Sequence, residues 1–158
     1  MSLRWAIVIV AFPLLAQQRT DYVASSKSAI TQKDYAKAER DALAAVRASP
    51  NSGDAHRLLG TAYFLNGKLT GAITEFQTAI RLNPRDANAY YNLGIVYYRQ
   101  SKWNESLGNL NQAIRLNSKD AAYFDYRANV YDKLQNKKAA EADRLTASSL
   151  RKKTEVMR

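Results

Sequence analysis

At 158 residues and 17.8 kDa, the chain has room for one ordinary domain or a short stack of repeats, and too little for a large two-domain enzyme. Its 24 lysines and arginines outnumber 14 acids to give a net charge of +10, which favours encounter with acidic proteins, anionic membranes or nucleic acid without selecting among them. With no cysteine, disulfide staples, thiolate zinc sites and cysteine catalysis are excluded.

Residues 1–16 differ in kind from the rest. Arg4 supplies a positive start, Trp5 to Ala16 is uncharged and apolar, and Gln17-Gln18-Arg19 turns abruptly polar. That order is the order of a secretory signal. As a helix the run rises only ~18 Å against a hydrocarbon core of ~30 Å. Leu14 fits poorly in the small-residue slot before a cut at Ala16, so a retained membrane anchor is the alternative reading, and a buried amino-terminal helix is a third. Either of the first two places the protein in an exported or membrane-associated setting: periplasm, lumen or extracellular side.

Beyond this segment the chain repeats. Ala79-Ile80-Arg81-Leu82-Asn83 recurs 34 residues later as Ala113-Ile114-Arg115-Leu116-Asn117, and 53–86 slid over 87–120 gives 11 identities. A period of this length means stacked supersecondary units. The first, 19–52, keeps Tyr22, Tyr35, Ala38, Ala45 and Pro50 but is degenerate, because Ser25, Ser26 and Ala29 give its first helix little to pack with. In 53–86, Leu59, Ala62 and Tyr63 form one helical stripe, Gly67-Lys68 interrupts it, and Ala72, Phe76, Ala79 and Ile80 resume it until Asn83-Pro84. Unit 87–120 keeps Leu93, Gly94, Tyr97 and Ala113. Unit 121–154 keeps Phe124, Ala128, Tyr131, Ala140 and Ala147, but Arg127 and Arg144 replace a leucine and an aromatic; 155–158 is the end of a basic tail. Each unit reads as helix, tight turn, helix, with small Gly60 and Gly94 allowing a partner helix to approach closely. Polar end units suit a stack whose terminal faces have no neighbour.

These residues and intervals resemble the tetratricopeptide repeat, with His56 in the slot of its tryptophan. The resemblance covers most of 19–154, specifically in 53–120. It implies an all-α fold, a right-handed superhelical stack of antiparallel helix pairs, whose first helices line a concave groove. It implies too a non-enzymatic protein-interaction module. Some members of the family grip a partner's terminal carboxylate; of the matching positions Arg57, Thr61, Asn92, Ala122 and Tyr126, only Asn92 keeps the residue type, which argues against that mode.

No constellation for chemistry stands out, and no cofactor, metal site or catalytic set is expected. His56 is the single histidine, and it falls in a packing slot; phosphate-loop and paired-histidine metal motifs are absent. Asn104-Glu105-Ser106 matches a glycosylation acceptor, but Ser106 falls in a small-residue packing slot. By spacing, the first-helix face left free of the packing stripe carries Thr20, Val23 and Lys27; then Asp54, Arg57, Thr61 and Phe64; then Asn88, Tyr91, Ile95, Tyr98 and Arg99, with Asn92 beside them; then Ala122, Asp125, Asn129 and Asp132. Tyrosine offers broad contact area and a hydroxyl, and arginine a rigid fork, the types enriched at binding hot spots. The expected partner is therefore a protein or peptide, held by an adaptor or assembly factor; a permanent structural subunit of a membrane or envelope complex is the alternative. Half the excess charge lies in 133–158, which suits an anionic membrane surface better than nucleic acid. Oligomeric state is left open.

Overall fold

The computed structural model describes residues 21–156; the apolar segment 1–16 and Thr20 lie outside them. Among the described residues there are eight helices and no strand: 21–31 (α1), Tyr35–Ala48 (α2), Gly53–Leu65 (α3), Leu69–Leu82 (α4), Ala87–Arg99 (α5), Trp103–Leu116 (α6), Ala121–Lys133 (α7) and Lys137–Val156 (α8). Connections of three to four residues force consecutive helices to run antiparallel. The residues divide into two compact units, one ending at Glu75 and the other starting at Phe76.

The turns show why the chain folds in pairs. Lys33, Gly67, Ser101 and Gln135, spaced 34 residues apart, all adopt left-handed backbone, with φ of 60°, 75°, 59° and 60°. The next amide in each case reaches back to the preceding helix: Asp34 to the Ala29 carbonyl (2.9 Å), Lys68 to Tyr63 (2.8 Å), Lys102 to Tyr97 (3.0 Å) and Asn136 to Tyr131 (2.8 Å). That bond caps a carbonyl the helix end would leave bare and stops the helix there. Only Gly67 is suited to this backbone. Ser101→Gly is accordingly expected to raise stability by about 1 kcal/mol, visible as a higher denaturation midpoint, whereas Ser101→Ala should not. New helices start on side-chain caps that share the period: Ser52 accepts from the Ala55 amide (3.2 Å), Asp86 from Ala89 (3.1 Å) and Asp120 from Ala122 (3.0 Å).

In the unit ending at Glu75, Ala29, Ala38, Ala42, Leu58, Leu59 and Ala62 form the core, with Val23, Ile30 and Tyr63 against it. Ser26 is fully buried and donates its hydroxyl to the Ala38 carbonyl (2.9 Å), so a small polar residue closes the α1–α2 contact. Ser25 instead donates to Asp41 (2.6 Å), which also pairs with Lys37 (2.8 Å). Burial acts to raise the Asp41 pKa, but the bonds from Lys37 and Ser25 and the charges of Lys37 and Arg40 outweigh it and lower the value. His56 joins helices too, its Nδ1 lying 2.6 Å from a Glu75 carboxylate oxygen and its Nε2 2.9 Å from the Pro50 carbonyl.

From Phe76 onward, α5 packs on α6, α6 on α7 and α7 on α8. Gly94 marks the α5–α6 crossing: a Cβ there would lie 3.0 Å from Leu110 Cγ and 3.4 Å from the Ser106 carbonyl. Ser106 is itself fully buried and donates to the Gly94 carbonyl at 2.7 Å. In the last pair, Arg127 takes the position held by Leu59 and Leu93. It forms a two-pronged pair with buried Asp143 (2.7 Å each) and donates to Asn111 (2.8 Å), between the rings of Phe124 and Tyr131. The hydrogen bond to Asp143, opposed by desolvation and helped by its charge, raises the Arg127 pKa, so the guanidinium stays charged. Phe76 and Leu110 are buried, but their counterpart Arg144 keeps half its side chain exposed and pairs with Asp132. The last helix pair is thus closed by ion pairs where its predecessors use apolar side chains.

Candidate peptide-binding face

α5 turns Ala89, Leu93, Gly94 and Val96 inward. Its other positions leave Asn88 and Arg99 exposed, with Tyr91, Asn92, Ile95 and Tyr98 half-buried. The tyrosines enter a connected set of five rings. Tyr91 lies 4.8 Å from Tyr123 and 5.4 Å, edge-on, from Tyr126; Tyr98 lies 5.1 Å from Trp103 and 6.3 Å from Tyr126. Such edge and tilted contacts hold rings in fixed orientations at separations where their quadrupoles attract. The Tyr123 hydroxyl donates to the Asn88 amide oxygen at 2.7 Å, orienting that amide. Burial first, then the neighbouring Tyr126, Asp120, Tyr123 and Asp125, push the Tyr91 pKa up, so it remains a neutral phenol.

On α7, Asn129 is exposed, and with Tyr98, Asp132, Lys133 and Gln135 it borders a hollow of about 330 Å³. Asp125 and Asp132 are occupied differently from the spacing argument, for α8 reaches over to them: Arg151 bonds Asp125 and Arg144 bonds Asp132. Their carboxylates are partly neutralised within the fold, which leaves Asn129 and the half-buried Tyr126 as the more available contacts of α7, Tyr123 being fully buried. Arg57, Thr61 and Phe64 stand on α3 in the other unit, where Arg57 bonds Asp54 (2.8 Å) and Thr61 donates to the Arg57 carbonyl (2.9 Å). Spacing along single helices missed Trp103, Tyr123 and Tyr126. A signal for Tyr126 was present, since it follows Asn92 by one period.

The face offers aromatic contact area from Tyr91, Tyr98 and Tyr126 and hydrogen-bonding amides from Asn92 and Asn129. Among the described residues no three histidines or carboxylates converge as a metal site, and no helix is long and apolar enough to cross a membrane. Asn104 is exposed, but Ser106 of the acceptor triplet is locked in the α5–α6 contact.

Paired helices with small residues at their crossings and a face of tyrosines and amides define a helical-repeat scaffold. Residues 60–101 match a family model described as TPR repeat, and 87–120 match the tetratricopeptide repeat model. Solved structures agree on the fold. The crystal structure of MamA superposes with a TM-score of 0.77 at 21% identity, over 87% of this chain and 80% of that one. For pilF of Pseudomonas aeruginosa the values are 0.79 and 20%, over 86% of this chain and 62% of that one, so the chain spans under two thirds of pilF. YrrB, described as a TPR protein with an unusual peptide-binding site, gives 0.70 and 21%, over 84% and 68%. No curated protein matches the sequence. Residues 60–120 thus carry tetratricopeptide repeats, and the fold is all-α, built of antiparallel helix pairs, a class of protein-interaction modules.

Proposed function

We propose that the α5–α7 face binds an extended peptide or protein segment, and that the protein serves as an exported or membrane-associated adaptor or assembly factor. The observation that carries the binding role is the fixed set of rings around Tyr91, Tyr98 and Tyr126, bordered by the amides of Asn92 and Asn129. Rigid aromatics give contact area at little entropic cost, and amides can satisfy a peptide backbone in both directions. The peptide-binding site described for YrrB supports the same use of this fold. The setting rests on the signal-like order of residues 1–16.

A crosslinking residue at Asn129, in the full chain in cells, captures the partner for identification after detergent extraction. Asn92→Ala with Asn129→Ala and Tyr98→Phe removes three polar groups and leaves the rings in place. Affinity for the captured partner is expected to fall at least about tenfold, from roughly 0.5–1.5 kcal/mol per hydrogen bond, with circular dichroism unchanged. Equal affinity would reject this face. A partner that stays bound through high salt and never exchanges would favour a permanent structural subunit over an adaptor.

A further inference from the structure

α8 has 20 residues where α2, α4 and α6 have 14 each, so it forms a rod of about 30 Å. Ala140, Asp143 and Ala147 mark its inward stripe. Its arginines are engaged as well, Arg144 with Asp132 and Arg151 with Asp125. The opposite face is a different surface. Lys138, Leu145 and Lys152 recur at seven-residue intervals and so stand in one line, flanked by Lys137 and Lys153. All five are exposed, and the side chains of the four lysines make no hydrogen bond or ion pair among the described residues. Leu145, at 67% exposure, is one of two large hydrophobic residues exposed among those described. Glu141 is the one acid in this outward stretch, and the positions between are the small Ala142, Ser148 and Ser149.

We infer that the outward face of α8 is a docking surface for an anionic lipid bilayer, with its lysines at the headgroups and Leu145 dipping below them. This surface is separate from the α5–α7 face and does not depend on it. Charge complementarity requires a negative partner, and the residue types select among negative partners. Protein interfaces are depleted in lysine and rely on Trp, Tyr and Arg anchors; this face has four lysines and no aromatic, and the hollow at its edge is bordered by Lys119, Leu150, Lys153 and Thr154, again without an aromatic. A membrane surface needs no such anchors, because its charge is spread over a plane and mobile lipids gather under each cation. The exposed leucine between lysines gives one apolar contact below the headgroups, while the lysines supply most of the attraction to an anionic surface.

The test is flotation of the full chain with vesicles of phosphatidylcholine alone or with about 30% phosphatidylserine, at low and high salt. Lys138→Glu with Lys152→Glu should lower partitioning onto the anionic vesicles by about thirtyfold or more. Lys27→Glu with Arg47→Glu changes the net charge equally from exposed positions on α1 and α2, and should cost less than about threefold. Because the chain has no cysteine, Leu145→Cys offers a single labelling point, and an environment-sensitive dye there should shift to the blue on the anionic vesicles only. Equal losses in the two charge-reversed proteins would overturn the inference, since bulk charge alone would then explain binding. A dye that shifts on neither vesicle, or on both alike, would overturn it too. So would tighter α8-dependent binding to polyglutamate than to vesicles, which would mark the face as a site for an acidic protein.

Discussion

Asp143→Ala is expected to destabilise the protein by about 3–5 kcal/mol. Asp143 is only 6% exposed, and both its oxygens accept from Arg127, whose guanidinium is held between Phe124 and Tyr131. Alanine there leaves a half-buried cation with one remaining acceptor, the Asn111 amide at 2.8 Å. Desolvation that the pair had offset is then uncompensated. The same reasoning makes a second outcome informative. Leu59 and Leu93 hold the equivalent position in earlier repeats, so Arg127→Leu combined with Asp143→Ala should come back to within about 1–2 kcal/mol of the parent, because a well-packed apolar replacement of a buried pair is often neutral. Denaturant midpoints followed by circular dichroism measure both. A single substitution as mild as the double one would show that the pair is solvated and contributes little.

Leu110→Ala should cost about 2–5 kcal/mol, since the side chain is fully buried at the α5–α6 crossing. Gly94→Ala works in the opposite sense at the same place. Its new methyl would sit 3.0 Å from Leu110 Cγ, close enough that Leu110 must give way, at about 1–3 kcal/mol for overpacking. Against that stands a gain of about 1 kcal/mol in helix propensity. With both changes the added methyl enters the space that Leu110 vacates. The double variant is therefore expected to be more stable than the sum of the single effects by at least about 1 kcal/mol, the mark of two groups in contact. Strict additivity would mean that the crossing relaxes around each change independently.

The 34-residue shift made the helix pairs legible before any coordinates, because identical packing slots recur with it. The interruption at Gly67-Lys68 was visible for the same reason. The other reversals were less visible: Lys33, Ser101 and Gln135 carry no glycine signal, and what sets them in left-handed backbone is the capping bond to the helix behind. On the candidate face, spacing along α5 identified Tyr91 and Tyr98, since one helix face is a property of one helix. The rings of Tyr123 and Trp103 come from neighbouring helices, and which of them meet depends on how those helices cross. The occupation of Asp125 and Asp132 was hidden too. It follows from arginines on α8 at Arg144 and Arg151, and the first of these looked in the sequence like a lost aromatic.

Ser26 and Ser106 carry one more implication. They occupy opposite sides of corresponding crossings two periods apart: in the first pair the leading helix supplies the hydroxyl to Ala38, and in the third the trailing helix supplies it to Gly94. A chimera joining α1 to α6 would bring two hydroxyls to one contact, and its reciprocal, α5 with α2, would have none. Helices of this chain are therefore co-adapted couples, and recombination that copies or exchanges them preserves fit only when it carries each couple whole.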